Sequence, residues 1–263
     1  MILIFILLAI LLLMLYSFYW KGMKLDYLYE NGTIFFGHRG ERNRTPENTL
    51  SSYRSAMDNG LKAIELDVML TKDGEIVCSH NIDLERETNG NGFIDEKIYK
   101  ELSNVKAGRR FPLQKQDKIP LLTDVVEALP EDILINIEIK TKAAFDLKTA
   151  KEVAHLIKDG KIKQNVIVSS FNPIAVRFVK FISKYIPTGF IYEHAKHFNG
   201  VFVARPDCLH PDAEFIDDKL INFCRKRNMR INTWTINNIY ARDWLIKKGI
   251  SGIITDNPAI ATK

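Results

Sequence analysis

Cysteine is scarce in this chain. There are three, Cys78, Cys208 and Cys224, widely spaced and odd in number, so neither a disulfide framework nor a zinc-ligand spacing can be assembled from them. No Gly-x-Ser-x-Gly elbow occurs, and no glycine-rich loop ends in Lys-Ser/Thr. These absences remove α/β-hydrolase acyl transfer and P-loop nucleotide chemistry. A dominant charge sign is missing too: 37 Lys and Arg face 32 Asp and Glu, a net +5, and no nucleic-acid-binding module is recognisable. The basic groups Arg225-Lys226-Arg227 and Lys247-Lys248 fall on predicted helices and read as solvated faces, with attraction to anionic lipid as the alternative.

Charge is absent altogether from Met1 to Trp20, a Leu- and Ile-rich run of about the length that spans a bilayer as a helix. Tyr16, Tyr19 and Trp20 lie where an interfacial aromatic belt would sit. No basic residue precedes Lys21 and no small-x-small cleavage site follows, which favours an uncleaved transmembrane anchor over a signal peptide. Lys21 and Lys24 flank it and place the large domain on the cytoplasmic side of a cell membrane. The expected organisation is an anchor over 1–20, a juxtamembrane linker over 21–32 and a catalytic domain over 33–263.

Beyond the linker, β-rich apolar runs alternate with amphipathic patterns. Strands are expected at Ile34–Gly37, Ala63–Leu70, Ile76–His80, Ile133–Ile139, Asn165–Ser169, Thr188–Tyr192, Cys208–His210, Arg230–Thr235 and Gly252–Thr255. Helices are expected at Glu47–Asn59, Ala144–Asp159, Pro173–Lys184, Phe215–Lys226 and Ile239–Lys248, and shorter ones at Asp95–Leu102 and Leu121–Leu129. Such alternation argues for a parallel sheet with helices outside. Nine strands exceed a closed eight-fold barrel by one. The turn Thr71-Lys72-Asp73-Gly74 is too short for a parallel crossover, so Ile76–His80 should fold back as an antiparallel hairpin arm after the second strand. Eight parallel strands then remain, the count of a (β/α)8 TIM barrel in the α/β class.

Glu65 and Asp67 are two apart on one strand and share a face, as do Glu138 and Lys140 on another. In a barrel, inward residues near the strand C-termini line the catalytic mouth. Three carboxylates there suit a hard divalent cation, Mg²⁺ or Ca²⁺; a plain Glu138–Lys140 surface ion pair is the structural alternative. His38 ends the first strand and His80 the hairpin arm, poised as an acid–base pair. Arg39 and Lys140 add the fixed positive charge that holds a phosphate. Trp234 and Phe171, at strand ends, offer an apolar wall for an alcohol or lipid moiety. His194 and His197 read as an exposed loop pair, and His155 and His210 as structural. Acid, base, cation and phosphate clamp together describe phosphoryl-ester cleavage.

Ordered motifs extend this reading across residues 34 to 258: His38-Arg39-Gly40, Pro46-Glu47-Asn48-Thr49, Glu65-Leu66-Asp67-Val68, Thr71-Lys72-Asp73-Gly74, His80, Arg86, Thr88-Asn89-Gly90, Ile119-Pro120-Leu121-Leu122, Ile137-Glu138-Ile139-Lys140, Ser169-Ser170-Phe171, Thr233-Trp234-Thr235-Ile236-Asn237 and Gly252-Ile253-Ile254-Thr255-Asp256-Asn257-Pro258. In this the chain resembles the glycerophosphodiester phosphodiesterase family. The resemblance implies a (β/α)8 barrel, a divalent metal on Glu65, Asp67 and Glu138, and a two-histidine hydrolysis of glycerophosphodiesters to glycerol 3-phosphate and an alcohol, with His38 as base and His80 as acid. One departure stands out: Asn81 follows His80 where the family usually has Asp, and Asp83 is the acidic residue nearby. Two rival functions keep the fold: lysophospholipase D action on membrane lysophospholipids, and a catalytically idle membrane-bound binding module.

Overall fold

The computed structural model describes residues 2–29 and 32–261. Met1, positions 30 and 31 and the last two residues lie outside the described residues, and with them the outer edges of the expected anchor and catalytic domain and part of the expected linker. Eight parallel strands close a barrel in chain order: β1 (Ile34–Gly37), β2 (Ala63–Leu70), β6 (Leu134–Ile139), β7 (Asn165–Ser170), β8 (Thr188–Tyr192), β9 (Cys208–Pro211), β10 (Arg230–Thr233) and β11 (Gly252–Thr255), with β1 pairing both β2 and β11. β3 (Ile76–Cys78) runs antiparallel to β2 through Val68↔Cys78. β1 pairs only with Ala63 and Ile64 of β2 while β6 follows it to Val68, so β3 occupies the flank that β1 vacates. A two-stranded pair, β4 (Lys106–Ala107) and β5 (Asp117–Lys118), lies in the excursion that follows.

Side-chain alternation decides which groups face the barrel axis. On β2, Ile64, Leu66 and Val68 face outward into a core shared with Tyr53, Val153 and Ala154 of the surrounding helices, which leaves Glu65 and Asp67 inward. β6 repeats this, with Ile135, Ile137 and Ile139 outward and Asn136 and Glu138 inward. The helices are α2 (Leu50–Asp58), α3 (Tyr99–Leu102), α4 (Leu122–Ala128), α5 (Lys148–Lys158), α6 (Pro173–Ile182), α7 (Val201–Ala204), α8 (Asp218–Lys226) and α9 (Ile239–Lys247). Several starts fall later than periodicity suggests because a polar residue caps them: Thr49 accepts from Ser52 N, and Asp217 from Leu220 N.

The N-terminal helix α1 (Ile2–Phe18) has 17 residues, about 26 Å at 1.5 Å per residue. Among the described residues no helix is long and apolar enough to cross a membrane, so the expected transmembrane helix over 1–20 is corrected. The chain leaves the helix early because its last aromatic residues bind the barrel. Trp20 donates its indole N–H to Pro206 O at 3.2 Å and packs on Phe202, and Arg227 donates to Phe18 O. Side chains 2–16 are all exposed. The stretch expected as a linker is also seated on the barrel. Leu25, Leu28 and Tyr29 are buried at the strand N-terminal end with Phe36, Ala63 and Cys208, and Gly22 N donates to Arg227 O at 2.8 Å.

Candidate active site

The sequence-derived residues converge at the C-terminal end of the strands. His38, Arg39, Glu65, His80, Glu138 and Lys140 line one cavity of about 130 Å³, and Phe171 and Trp234 form its apolar side, their rings edge-to-face at 5.7 Å. His194 and His197 are exposed, as expected.

Glu65, Asp67 and Glu138 are buried and offer carboxylate oxygens all within 4.8 Å of one another. Lys140 bridges Asp67 Oδ1, at 2.8 Å, and Glu138, so the Glu138–Lys140 pair belongs to a buried cluster and not to the surface. Arg39 has φ +55°, a left-handed conformation that costs a non-glycine residue energy. It turns the Arg39 N–H onto Glu65 Oε2 at 2.9 Å. Its guanidinium bonds Glu47 Oε1 at 2.7 Å and lies 3.3 Å from Asp67 Oδ2. Asn48, also at φ +55°, donates to Asp67 Oδ2 at 2.8 Å and accepts from Asp67 N and from the Tyr53 hydroxyl. Pro46-Glu47-Asn48-Thr49 is thus a brace for Arg39 and Asp67.

Burial, together with the charges of Asp67 and Glu138, holds the Glu65 carboxyl well above the usual range. Burial pushes Asp67 the same way, but Lys140 and Arg39 outweigh it and hold Asp67 below. Two fixed cations therefore fail to neutralise three carboxylates. Glu65 Oε1, buried, has no hydrogen-bond partner. An unsatisfied oxygen within an all-carboxylate set fits a hard divalent cation.

His38 Nδ1 lies 2.7 Å from Asp256 Oδ1. The carboxylate can only accept, so Nδ1 carries the proton and Nε2 presents a lone pair. Asn237 holds Asp256 in turn, donating to Oδ2 at 2.9 Å and accepting from Asp256 N at 2.9 Å. His80 Nδ1 meets Asn81 Oδ1 at 3.1 Å, so Asn81 keeps the acceptor while lacking the charge. Burial brings His80 down to about 4. Asp83 does not replace the missing carboxylate, because it pairs with Arg86 at 3.3 Å.

The family model for the glycerophosphoryl diester phosphodiesterase family matches residues 38–260. The chain belongs to that family. It is thereby a phosphoric diester hydrolase. A glycerophosphodiester phosphodiesterase of Caldanaerobacter subterraneus subsp. tengcongensis is 34% identical over 230 residues, covering 86% of this chain and 95% of the relative. Among solved structures, an Oleispira antarctica phosphodiesterase in complex with the product sn-glycerol-3-phosphate superposes with a TM-score of 0.80 at 25% identity, covering 89% of this chain and 97% of that one. A glycerophosphodiester phosphodiesterase of Thermotoga maritima gives 0.71 at 30% identity, covering 87% and 96%.

Sequence reasoning missed three groups. Asp256 sits in the Gly252–Pro258 motif, but 218 residues separate it from His38. Asn48 needed the fold to show what it holds. His210, expected to be structural, lines the same cavity together with Asn136. Its place depends on Gly189, where a Cβ would stand 2.6 Å from His210 Nε2; the missing side chain on β8 lets the ring turn inward.

Proposed function

We propose that this phosphodiesterase cleaves glycerophosphodiesters to glycerol 3-phosphate and an alcohol, with Glu65, Asp67 and Glu138 holding Mg²⁺ or Ca²⁺. A divalent cation there would supply Lewis-acid polarisation of a phosphate oxygen. The observation that carries the reading is the convergence of two oriented histidines, three carboxylates and two fixed cations in one small cavity. Arg39 and Lys140 bind the phosphate and stabilise the charge that develops on it. His38 Nε2 takes the proton from the attacking oxygen as its bond to phosphorus forms, and Asp256 stabilises the imidazolium produced. His80 acts as the acid in its imidazolium form, which the anionic diester beside it favours against burial: Nδ1–H stays on Asn81 Oδ1 and the Nε2 proton passes to the leaving alkoxide as the second P–O bond breaks. Phe171 and Trp234 flank the alcohol.

The exposed apolar side chains of α1 support association with a membrane, and the exposed Lys21 and Lys24 suit its anionic cytoplasmic leaflet. α1 joins the barrel beside Pro206 and Arg227, residues that precede β9 and β10. Its attachment is therefore at the strand end opposite the cavity. That arrangement favours deacylated, water-borne diesters over lysophospholipids held in the same bilayer. The test is turnover of diacyl, lyso and deacylated diesters in saturating Mg²⁺ or Ca²⁺. Glycerol 3-phosphate release from the deacylated substrate is expected, and its loss in His38→Ala and Glu65→Ala. Wild-type turnover by either variant would overturn the mechanism, and preferential release of choline from lysophosphatidylcholine would overturn the substrate class.

A further inference from the structure

Two cavity residues have no part in the scheme above, yet both carry buried polar atoms with nothing to bind. Asn136 is 1% exposed and neither its amide oxygen nor its nitrogen has a partner. His210 is fully buried and its Nδ1 is equally unpartnered. Leaving such groups unsatisfied in a protein interior is unfavourable, and both line the cavity that holds His38, His80, Glu65 and Glu138.

A relay through the barrel sets the state of His210. The Tyr29 hydroxyl, from the segment that closes the strand N-terminal end, donates to Asn232 Oδ1 at 3.0 Å. Asn232 therefore turns its amide nitrogen to His210 Nε2, also at 3.0 Å. An amide nitrogen only donates, so Nε2 accepts and the ring proton resides on Nδ1. Burial brings this imidazole down to about 3, so it stays neutral and keeps that tautomer. Two glycines make room for the relay. A Cβ at Gly189 would crowd the His210 ring, and one at Gly252 would collide with Asn232 Oδ1.

We propose that Asn136 and the Nδ1–H of His210 form a hydroxyl-recognition subsite on the cavity floor, reading the terminal hydroxyl of the glycerol moiety, with Tyr29 and Asn232 as its positioning residues. This rests on the phosphodiesterase reading. A hydroxyl is the matching ligand because it donates and accepts at once, to Asn136 Oδ1 and from His210 Nδ1–H. A phosphoryl oxygen only accepts and is served by Arg39 and Lys140. Asn136 lies two residues before Glu138 on β6, on the same face and deeper in the barrel than the phosphate clamp. The hydroxyl it meets is therefore the one farthest from phosphorus.

The test compares glycerophosphocholine with 2-hydroxypropyl phosphocholine, which lacks only the terminal hydroxyl, using the full chain in saturating Mg²⁺. Calorimetric binding of glycerol 3-phosphate and of its terminal-deoxy analogue runs in parallel. Wild type should favour the glycerol compounds by about 10- to 100-fold in kcat/KM and in Kd. Asn136→Ala should bring both ratios to within about threefold of unity by losing the glycerol compounds alone. Tyr29→Phe, outside the cavity, should raise KM for glycerophosphocholine, leave the deoxy substrate unchanged and shift the ¹⁵N signature of His210 away from the Nδ1–H tautomer. Equal handling of both substrates by wild type, or a uniform loss on both in Asn136→Ala, would overturn the subsite, the second result indicating that the floor holds only a water or serves packing. Binding preference without turnover would count against the phosphodiesterase reading and leave the subsite standing; turnover without preference would do the reverse.

Discussion

Replacing Asp256 with Asn is the most discriminating perturbation of the acid–base pair, because the geometry forbids a neutral outcome. Two donors converge on this carboxylate, His38 Nδ1–H on Oδ1 and the Asn237 amide on Oδ2. A side-chain amide has one acceptor and one donor end, so only one of the two can still be satisfied. Asn237 cannot turn, since its Oδ1 accepts from Asp256 N at 2.9 Å and from the Thr255 hydroxyl at 3.1 Å. The new amide must therefore give its oxygen to Asn237 and its NH₂ to His38. His38 then becomes the acceptor at Nδ1, its proton moves to Nε2, and the lone pair that should take a proton is gone. Losing general-base catalysis costs about 10²- to 10⁴-fold, or about 3–5 kcal/mol of barrier. The shape is kept and one hydrogen bond is exchanged for another, so stability should change by only about 1 kcal/mol. Coupled detection of glycerol 3-phosphate released from glycerophosphocholine gives kcat, urea unfolding gives the control, and ¹⁵N spectra of the imidazole report the tautomer. A kcat within about threefold of wild type would refute the assignment of His38 as base.

Three further outcomes are expected. Glu65→Gln should weaken Mg²⁺ or Ca²⁺ binding at least about tenfold by calorimetry, and chelation of wild type with EDTA should abolish turnover; undiminished binding by the variant would move the metal elsewhere. In metal-free protein His80 should titrate near 4 by NMR, and Asn81→Asp should raise that midpoint by roughly one to three pH units by restoring a carboxylate partner; an unmoved midpoint would sink the account of Asn81. His210 is lowered from 6.5 to about 3, so the unfolded chain binds a proton throughout that window while the folded one does not. Stability is then present above 6.5 and lost as pH falls towards 3, by a total on the order of 5 kcal/mol. Urea midpoints at pH 7 and at lower pH should show this loss in wild type and a smaller one in His210→Gln.

Much of the architecture was legible because alternation on these strands is strict. In Ala63–Leu70 the large aliphatic residues Ile64, Leu66 and Val68 face the helices, so Glu65 and Asp67 point inward, and the Asp73-Gly74 turn returns the chain beside them. The strand bounds at Ile34–Gly37, Ala63–Leu70, Thr188–Tyr192 and Gly252–Thr255 are those expected. What stayed hidden depends on register between distant strands. Nothing local links Asp256 to His38, and His210 turns inward into space that a glycine on another strand leaves. The N-terminal run misled for a related reason. Hydropathy treats Tyr19 and Trp20 as an interfacial belt, whereas Trp20 is drawn onto Phe202, Phe223 and Arg227, contacts that exist only once the barrel has formed.

The charge ledger of the site joins its metal, its substrate and its product. Glu47 is answered by Arg42 at 2.9 Å as well as by Arg39, so the outer pair cancels. Asp256 is answered by whichever histidine carries the extra proton, His80 before the step and His38 after it. Around the cavity this leaves Arg39 and Lys140 against Glu65, Asp67 and Glu138, one net negative charge, which is why burial without a cation forces Glu65 so far from its usual range. A divalent ion on the three carboxylates would reverse the balance to one net positive charge. A phosphodiester carries a single negative charge and would neutralise it, while cleavage yields a monoester that is close to doubly charged at neutral pH. The same groups that draw the diester into a buried site are then overmatched by the product, and the excess negative charge in a low-dielectric cavity favours its release.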